Sequence, residues 1–339
     1  MTDIGIDFGT SKTILFSKGK IYLEQPSVVA VDSETWEPIC YGDRALSMVG
    51  RTPESVTTVF PLEHGVIADY DIAEQMLQHY MQQAFGKRII KPRVMISVPI
   101  GVTPVQHRSV ADVAGFAGGR DVCTIESLVA AALGLGVDFT KPGGSMVVDI
   151  GAGVTDVGVI SMGGIAQCGS SHTASGSFDE AIIRYVRREF NILIGLQTAA
   201  KIKEEIGCVV ARSVDLTMRA KGQDAFTGLP AVFEITSQQV CEAIEECLED
   251  IFRTVKDVLE KTPPDLVADV MERGIMLTGG GALLFGMGER LQQALGIHVI
   301  VAEDPMHNVV RGELIALKKP KLLKNGDYQF RSIQELIVD

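Results

Sequence analysis

One short pattern occurs twice in the chain at a fixed offset. Asp7-Phe8-Gly9-Thr10-Ser11-Lys12-Thr13 and Asp149-Ile150-Gly151-Ala152-Gly153-Val154-Thr155 align with each Asp, Gly and Thr 142 positions apart. Each copy lies between two apolar runs, Ile4–Asp7 and Thr13–Ser17 around the first, Met146–Ile150 and the residues after Thr155 around the second. The pattern predicts a duplicated strand–turn–strand, one per half of the chain. Two halves suit 339 residues, which is roughly two domains. Each is large enough to bury its own core.

The remaining sequence alternates β-branched apolar runs with amphipathic stretches, the signature of an α/β protein. Strands are predicted at Ile21–Leu23, Ser27–Val31, Val94–Val98 (stopped by Pro99) and Ile275–Leu277. Helices are predicted at Ile72–Phe85, with Ile72, Met76, Leu77 and Tyr80 on one face, and at Thr103–Phe116. In the latter Thr103 suits the N-cap and Pro104 the first turn. Further helices fall at Ser127–Gly134, Phe178–Glu189, Ala199–Ile206 and Ser237–Lys261, the last stopped by Pro263-Pro264. Lys141–Gly144 reads as a linker, and small strands are expected around the Thr227–Pro230 turn.

Composition excludes several function classes. The net charge of −12 argues against broad nucleic-acid binding, which needs cations to displace counterions. The start, MTDIGIDFG, has neither a basic region nor an apolar core, so no secretory leader is expected. The longest purely apolar run, Leu128–Val137, falls short of the ~20 residues that a membrane-spanning helix needs. The six cysteines form no CxxC pair and the six histidines no HExxH, so a protein-held zinc centre is not expected. GxSxG and GxxxxGK[ST] are both absent. A cytoplasmic protein is the base expectation.

The repeated turn has its own chemistry. Glycine in a strand–turn–strand lets backbone N–H groups approach an anion with no side chain in the way. Two such turns facing each other would grip a polyphosphate from both sides. Asp7 and Asp149 would then aim at the same place and repel phosphate unless a cation lay between them. Mg²⁺ suits that position, since it is held by one or two carboxylates together with phosphates. A third glycine turn, Gly279-Gly280-Gly281, follows a predicted strand and fits close approach of a ring or ribose-phosphate to bare backbone.

The order of two phosphate hairpins and a glycine turn resembles the actin, sugar-kinase and heat-shock-chaperone ATPase superfamily. Within it the chain is similar to bacterial actins of the MreB family. The resemblance is carried by EQPSVVAVD (24–32), VGRTPESV (49–56), HGVIADYD (64–71), PRVMISVPIGVT (92–103), GSMVVDIGAGVTDVGVISMGGI (144–165), EKTPPDLVADVMERGIMLTGGGALL (260–284) and VAEDP (301–305). It implies an α/β actin-like ATPase fold of two duplicated RNase-H-like domains with ATP or ADP and Mg²⁺ in the cleft between them. Domain I would take residues 1–142 plus about 312–339, with a small subdomain at about 32–66. Domain II would take 143–311, with a small subdomain at about 180–236. It further implies a homopolymeric filament under the cytoplasmic membrane that organises wall synthesis and cell shape. The partners implied are MreB paralogues and membrane-bound wall-synthesis proteins. Carried over by motif position, Thr10, Ser11 and Lys12 would line the first phosphate loop and Gly151, Ala152 and Gly153 the second. Asp7 and Asp149 would hold Mg²⁺ through water, and Lys203, Glu204, Gly279, Gly280, Gly281 and Ala282 would hold the adenosine.

The chain departs from the family pattern at several points. Lys12 stands where Asn is usual, Ala152 and Val154 where Gly and Thr are usual, and Ala200 where an acidic ribose partner is usual. The largest departure is at Ser127 and Leu128, which replace a Glu-Pro whose carboxylate positions the attacking water. Serine is shorter, uncharged and a poor base near neutral pH, so hydrolysis is expected to be slow. Ser127 also suits a helix N-cap. Glu126 is adjacent but expected to point elsewhere. A small-molecule kinase of the same superfamily and a non-hydrolysing scaffold that copolymerises with a paralogue are the alternatives. Peripheral membrane contact is expected at Phe85–Ile90, which sets three apolar side chains beside two cations.

Overall fold

The computed structural model describes residues 3–86, 91–138, 141–319 and, as backbone, 331–332. Two larger sheets dominate, and they share one plan. In the first, Lys20–Pro26, Lys12–Ser17 and Asp3–Phe8 form an antiparallel meander, extended by the parallel strands Arg93–Val98 and Asp121–Glu126. Arg331–Ser332 adds an edge. In the second, Gly164–Ser171, Thr155–Ser161 and Ser145–Ile150 form the same meander, extended in parallel by Ile275–Thr278 and Val299–Val301.

The duplicated pattern reaches the level of single hydrogen bonds. Gly9 N donates to Lys12 O at 3.0 Å, and Gly151 N to Val154 O at 2.9 Å. Each bond closes the turn between the first two strands of its sheet. Both central strands are apolar because helices cover both faces. Ser145–Ile150 is buried along its whole length.

Helix boundaries follow local chemistry. Pro104–Phe116 starts with a capping box, Thr103 and Gln106 bonding each other's backbone, and Ser237–Lys261 does the same through Thr236 and Gln239. The predicted faces are buried: Ile72, Met76, Leu77 and Tyr80 of Tyr70–Phe85 all point into the first core. A separate core packs around the second sheet.

A third cluster joins the two halves. Helix Ser127–Gly134 has Leu128 to Ala132 fully buried, and it packs with Met95, Val147, Ile160 and Val309. Its alanines have a physical reason. Gly134 lies on the backbone of Asn308 and Gly312 on the carbonyl of Ala130, so helix Asn308–Lys318 crosses it at backbone distance. Larger side chains would hold these helices apart. Helix Asn308–Lys318 also lies on the first sheet, where a Cβ at Gly5 would meet Val310 O and Glu313.

Candidate functional site

The two hairpin turns face each other across a cavity of about 570 Å³. Residues 9–12 and 151–154 line it, together with Asp7, Asp149 and Gly279–Gly281. The turns touch. A Cβ on Gly153 would overlap the Thr10 hydroxyl, and that hydroxyl accepts from Gly65 N at 2.8 Å. At the same contact, His64 Nδ1 lies 3.0 Å from Gly153 O.

Three carboxylates share this wall. Asp7 and Asp149 end the first strand of each sheet, and Asp156 sits opposite Asp149 in the antiparallel register. Burial pushes the Asp7 carboxyl up to about 7, against the opposing charge of His307. Burial, with Asp156 and Asp7 adding repulsion, pushes Asp149 well above the usual carboxylate range. A wall of oxygen donors that is costly to charge suits a hard divalent cation, which relieves the repulsion it sits in. The residues present therefore fit magnesium.

The glycine turn fits a flat ligand on the same ground. A Cβ at Gly279, whose φ is +85°, would overlap Asp149 Oδ1, so this turn lies directly against the carboxylate. Gly280 has open space where its Cβ would be. The segment Gly280–Leu283 is a single 3-10 turn. Ala282 faces the second core and does not line the cavity.

The remaining sequence-derived residues are placed as follows. Lys12 Nζ pairs with Glu24 Oε1 at 2.8 Å, a bond that holds the Glu24 carboxyl below its usual range. Ser11 and Glu204 line the cavity. Lys203 also lines it, and its Nζ donates to Ser175 O at 2.9 Å and to Asp179 Oδ2 at 2.8 Å. Ser127 lines the cavity but caps no helix. Glu126 holds the N-cap position of Ser127–Gly134, with no side-chain cap bond. The Ser127 hydroxyl instead donates to Asp156 Oδ2 at 2.6 Å. Glu126 lies outside the cavity lining.

A model of the MreB/Mbl protein family matches residues 1–325. The chain belongs to the MreB/Mbl family. It is similar to the cell shape-determining protein Mbl of Bacillus cereus, 42% identical over 320 residues that cover 93% of this chain and 96% of that one. The cell shape-determining protein MreB of Escherichia coli K12 is 42% identical over 317 residues, 91% of each chain. MreB5 of Spiroplasma citri has been solved with ADP and with AMPPNP. The ADP form has a TM-score of 0.90 at 33% identity over 96% of this chain and 99% of that one. The AMPPNP form has a TM-score of 0.89 at 32% identity, over 94% and 97%. The fold is actin-like.

Three residues at the site escaped the sequence reading. Asp156 is an acid within an otherwise apolar strand, Thr155–Ser161, and is 1% exposed. Ser127 Oγ, Ser170 Oγ and Ile100 N all donate to it. Burial raises its pKa, and those donors pull it back. Its place inside a hydrophobic run was the available clue. Arg212 and Phe285 also line the cavity. They come from irregular segments where periodicity gives no guidance.

Proposed function

We propose that this chain is an ATP-binding, actin-like cytoskeletal protein that polymerises into filaments and helps determine cell shape by organising wall synthesis. The observation that carries the reading is the convergence of two equivalent glycine turns and the Asp7–Asp149 pair on one cavity. The names of its relatives, cell shape-determining proteins, and the nucleotides held by MreB5 support it.

In this reading Thr10, Ser11, Lys12 and the turn at Gly151–Gly153 hold the phosphates by backbone and hydroxyl donors. Asp7 and Asp149 hold magnesium, which shields phosphate charge. Lys203, Glu204 and Gly279–Gly281 receive the nucleoside. The duplicated sheets support the two-domain division expected from the sequence. Ser127, backed by Asp156, takes the water-facing position, and turnover is slow.

Membrane contact belongs to the same proposal. Among the described residues no helix is long and apolar enough to cross a membrane, so attachment would be peripheral. Of the Phe85–Ile90 segment, residues 87–90 lie outside the described residues. The Phe85 ring packs on Tyr22, with centroids 4.9 Å apart. Phe85 is thereby tied to the first domain rather than free to enter lipid. Cosedimentation and electron microscopy of purified protein, with MgATP and without it, test the reading. Nucleotide-dependent filaments are expected; a protein that stays monomeric with MgATP and with an MreB paralogue contradicts it.

A further inference from the structure

The two halves also meet outside the cavity, through a pair of histidines that the nucleotide reading does not use. His64 lies in the turn between Leu62–Glu63 and Val66–Ile67, and His172 directly follows the edge strand Gly164–Ser171. No spacing in the sequence announces the pair, which the fold alone brings together. Their ring centres are 4.4 Å apart, with planes tilted by 53°. Both residues are exposed. The turn that carries His64 is held firmly. Gly65 N donates to the Thr10 hydroxyl at 2.8 Å, and a Cβ on Gly65 would overlap the Pro99 ring. His64 Nδ1 lies 3.0 Å from Gly153 O. A carbonyl oxygen only accepts, so Nδ1 carries the proton and Nε2 keeps its lone pair. Glu63 Oε1 lies 3.8 Å from that Nε2.

We propose that His64 and His172 form a binding site for a divalent transition metal of the zinc class, which clasps the two halves beside the second phosphate turn. Neutral imidazole is the commonest protein ligand for such ions. A ligating histidine almost always donates its other ring N–H to a carbonyl or carboxylate, which fixes its tautomer and orientation. His64 has that arrangement already, through Gly153 O. With Zn–N bonds of about 2.0–2.1 Å, two imidazoles that share one ion hold their ring centres roughly 4.5–5 Å apart. The observed 4.4 Å calls for a small adjustment only. Glu63 stands close enough to turn in as a third ligand, and water completes the shell. The site is distinct from the Asp7–Asp149 pair, since magnesium prefers all-oxygen surroundings and imidazole selects the softer ion. Because its ligands come from both halves, the bound ion would slow the escape of a nucleotide held between the hairpins. That consequence, unlike the site itself, rests on the nucleotide reading above.

Calorimetry of zinc chloride into the full chain, without nucleotide and with excess magnesium to fill the oxygen sites, tests the site. Wild-type protein is expected to take up one zinc ion. His172→Ala leaves the His64–Gly153 contact in place and should weaken zinc by at least about tenfold, the cost that even an outer partner of a ligand carries. His64→Ala should do the same, and Glu63→Gln should cost less. Both histidines are exposed, so zinc-free melting temperatures should match the wild type. Unchanged zinc affinity in His172→Ala overturns the proposal, as does wild-type protein that takes up no zinc. Release of a fluorescent ADP analogue, with magnesium present throughout, then reads the clasp. Zinc should slow release from the wild type and leave His172→Ala unaffected; zinc held through both histidines with no slowing overturns the clasp. Protein that binds zinc as expected but no ADP overturns the nucleotide reading instead, a result distinct from these.

Discussion

Ser127 spends its hydroxyl proton on Asp156, with Oγ and Oδ2 2.6 Å apart in the cavity wall. The pairing leaves the serine oxygen as an acceptor with a carboxylate behind it, but with no charge of its own. Such a group orients water less strongly than a carboxylate does and is a weak base. Glu126, outside the cavity lining, cannot replace it without a backbone shift.

Phosphate release with MgATP should therefore be slow and should rise when Ser127→Glu restores a carboxylate. A well-placed acid–base group is worth about 10²–10⁴ in rate, which bounds the gain. Glu126→Ala should change the wild-type rate little. A wild-type rate typical of the family, abolished by Glu126→Ala, would mean that the carboxylate has moved one position along the chain.

The glycine turn gives a paired prediction. Gly279→Ala forces an L residue to φ +85° and drives a methyl into Asp149, so it should lower stability by about 1–3 kcal/mol and weaken MgATP binding. Gly280→Ala meets nothing within 4 Å in the protein. It should leave the melting temperature unchanged and still weaken MgATP, because its methyl enters ligand space. Thermal melts with parallel titrations check both, and full affinity in Gly280→Ala would place the nucleotide elsewhere.

Much of this architecture was legible in the sequence because it rests on local spacing. Both hairpins follow from the repeated Asp-x-Gly and Thr, and Ser237–Lys261 from its apolar period and the prolines after it. Helix Asn308–Lys318 was not read as a helix. It is buried over most of its length, wedged against helix Ser127–Gly134 and the first sheet, so only Arg311, Ile315 and Lys318 are left for a narrow outer face. The role of Ser127 as a cap was also misread. Serine at a helix start favours capping, but here the hydroxyl joins Ser170 Oγ and Ile100 N as a donor to the buried Asp156 carboxylate, which is costly to bury without them. That partner lies 29 residues away, beyond any local rule. Arg212 and Phe285 likewise reach the cavity only through the fold.

Glu313 gives a pH prediction. It is fully buried on helix Asn308–Lys318; Oε1 accepts from Ser97 N at 3.0 Å, and Oε2 has no hydrogen-bond partner. Burial, with Asp7 adding repulsion, raises its pKa well above the usual glutamate range. A raised acid pKa means that the folded state holds a proton the unfolded state has lost. Its contribution to stability is thus full below the ordinary glutamate pKa and is lost as pH rises toward the folded value. Glu313→Gln should raise the melting temperature at pH 8 relative to wild type and flatten the pH dependence. A melting temperature that falls equally at pH 5 and pH 8 would show that the carboxyl is needed for packing alone.

The most direct measurement is a calorimetric titration of ATP into wild-type protein and Asp149→Ala, each with magnesium and with a chelator. Paired turns closing on a shared cation predict tight binding only for wild type with magnesium, and loss of that magnesium dependence in the variant. Equal affinity in all four titrations would contradict the account.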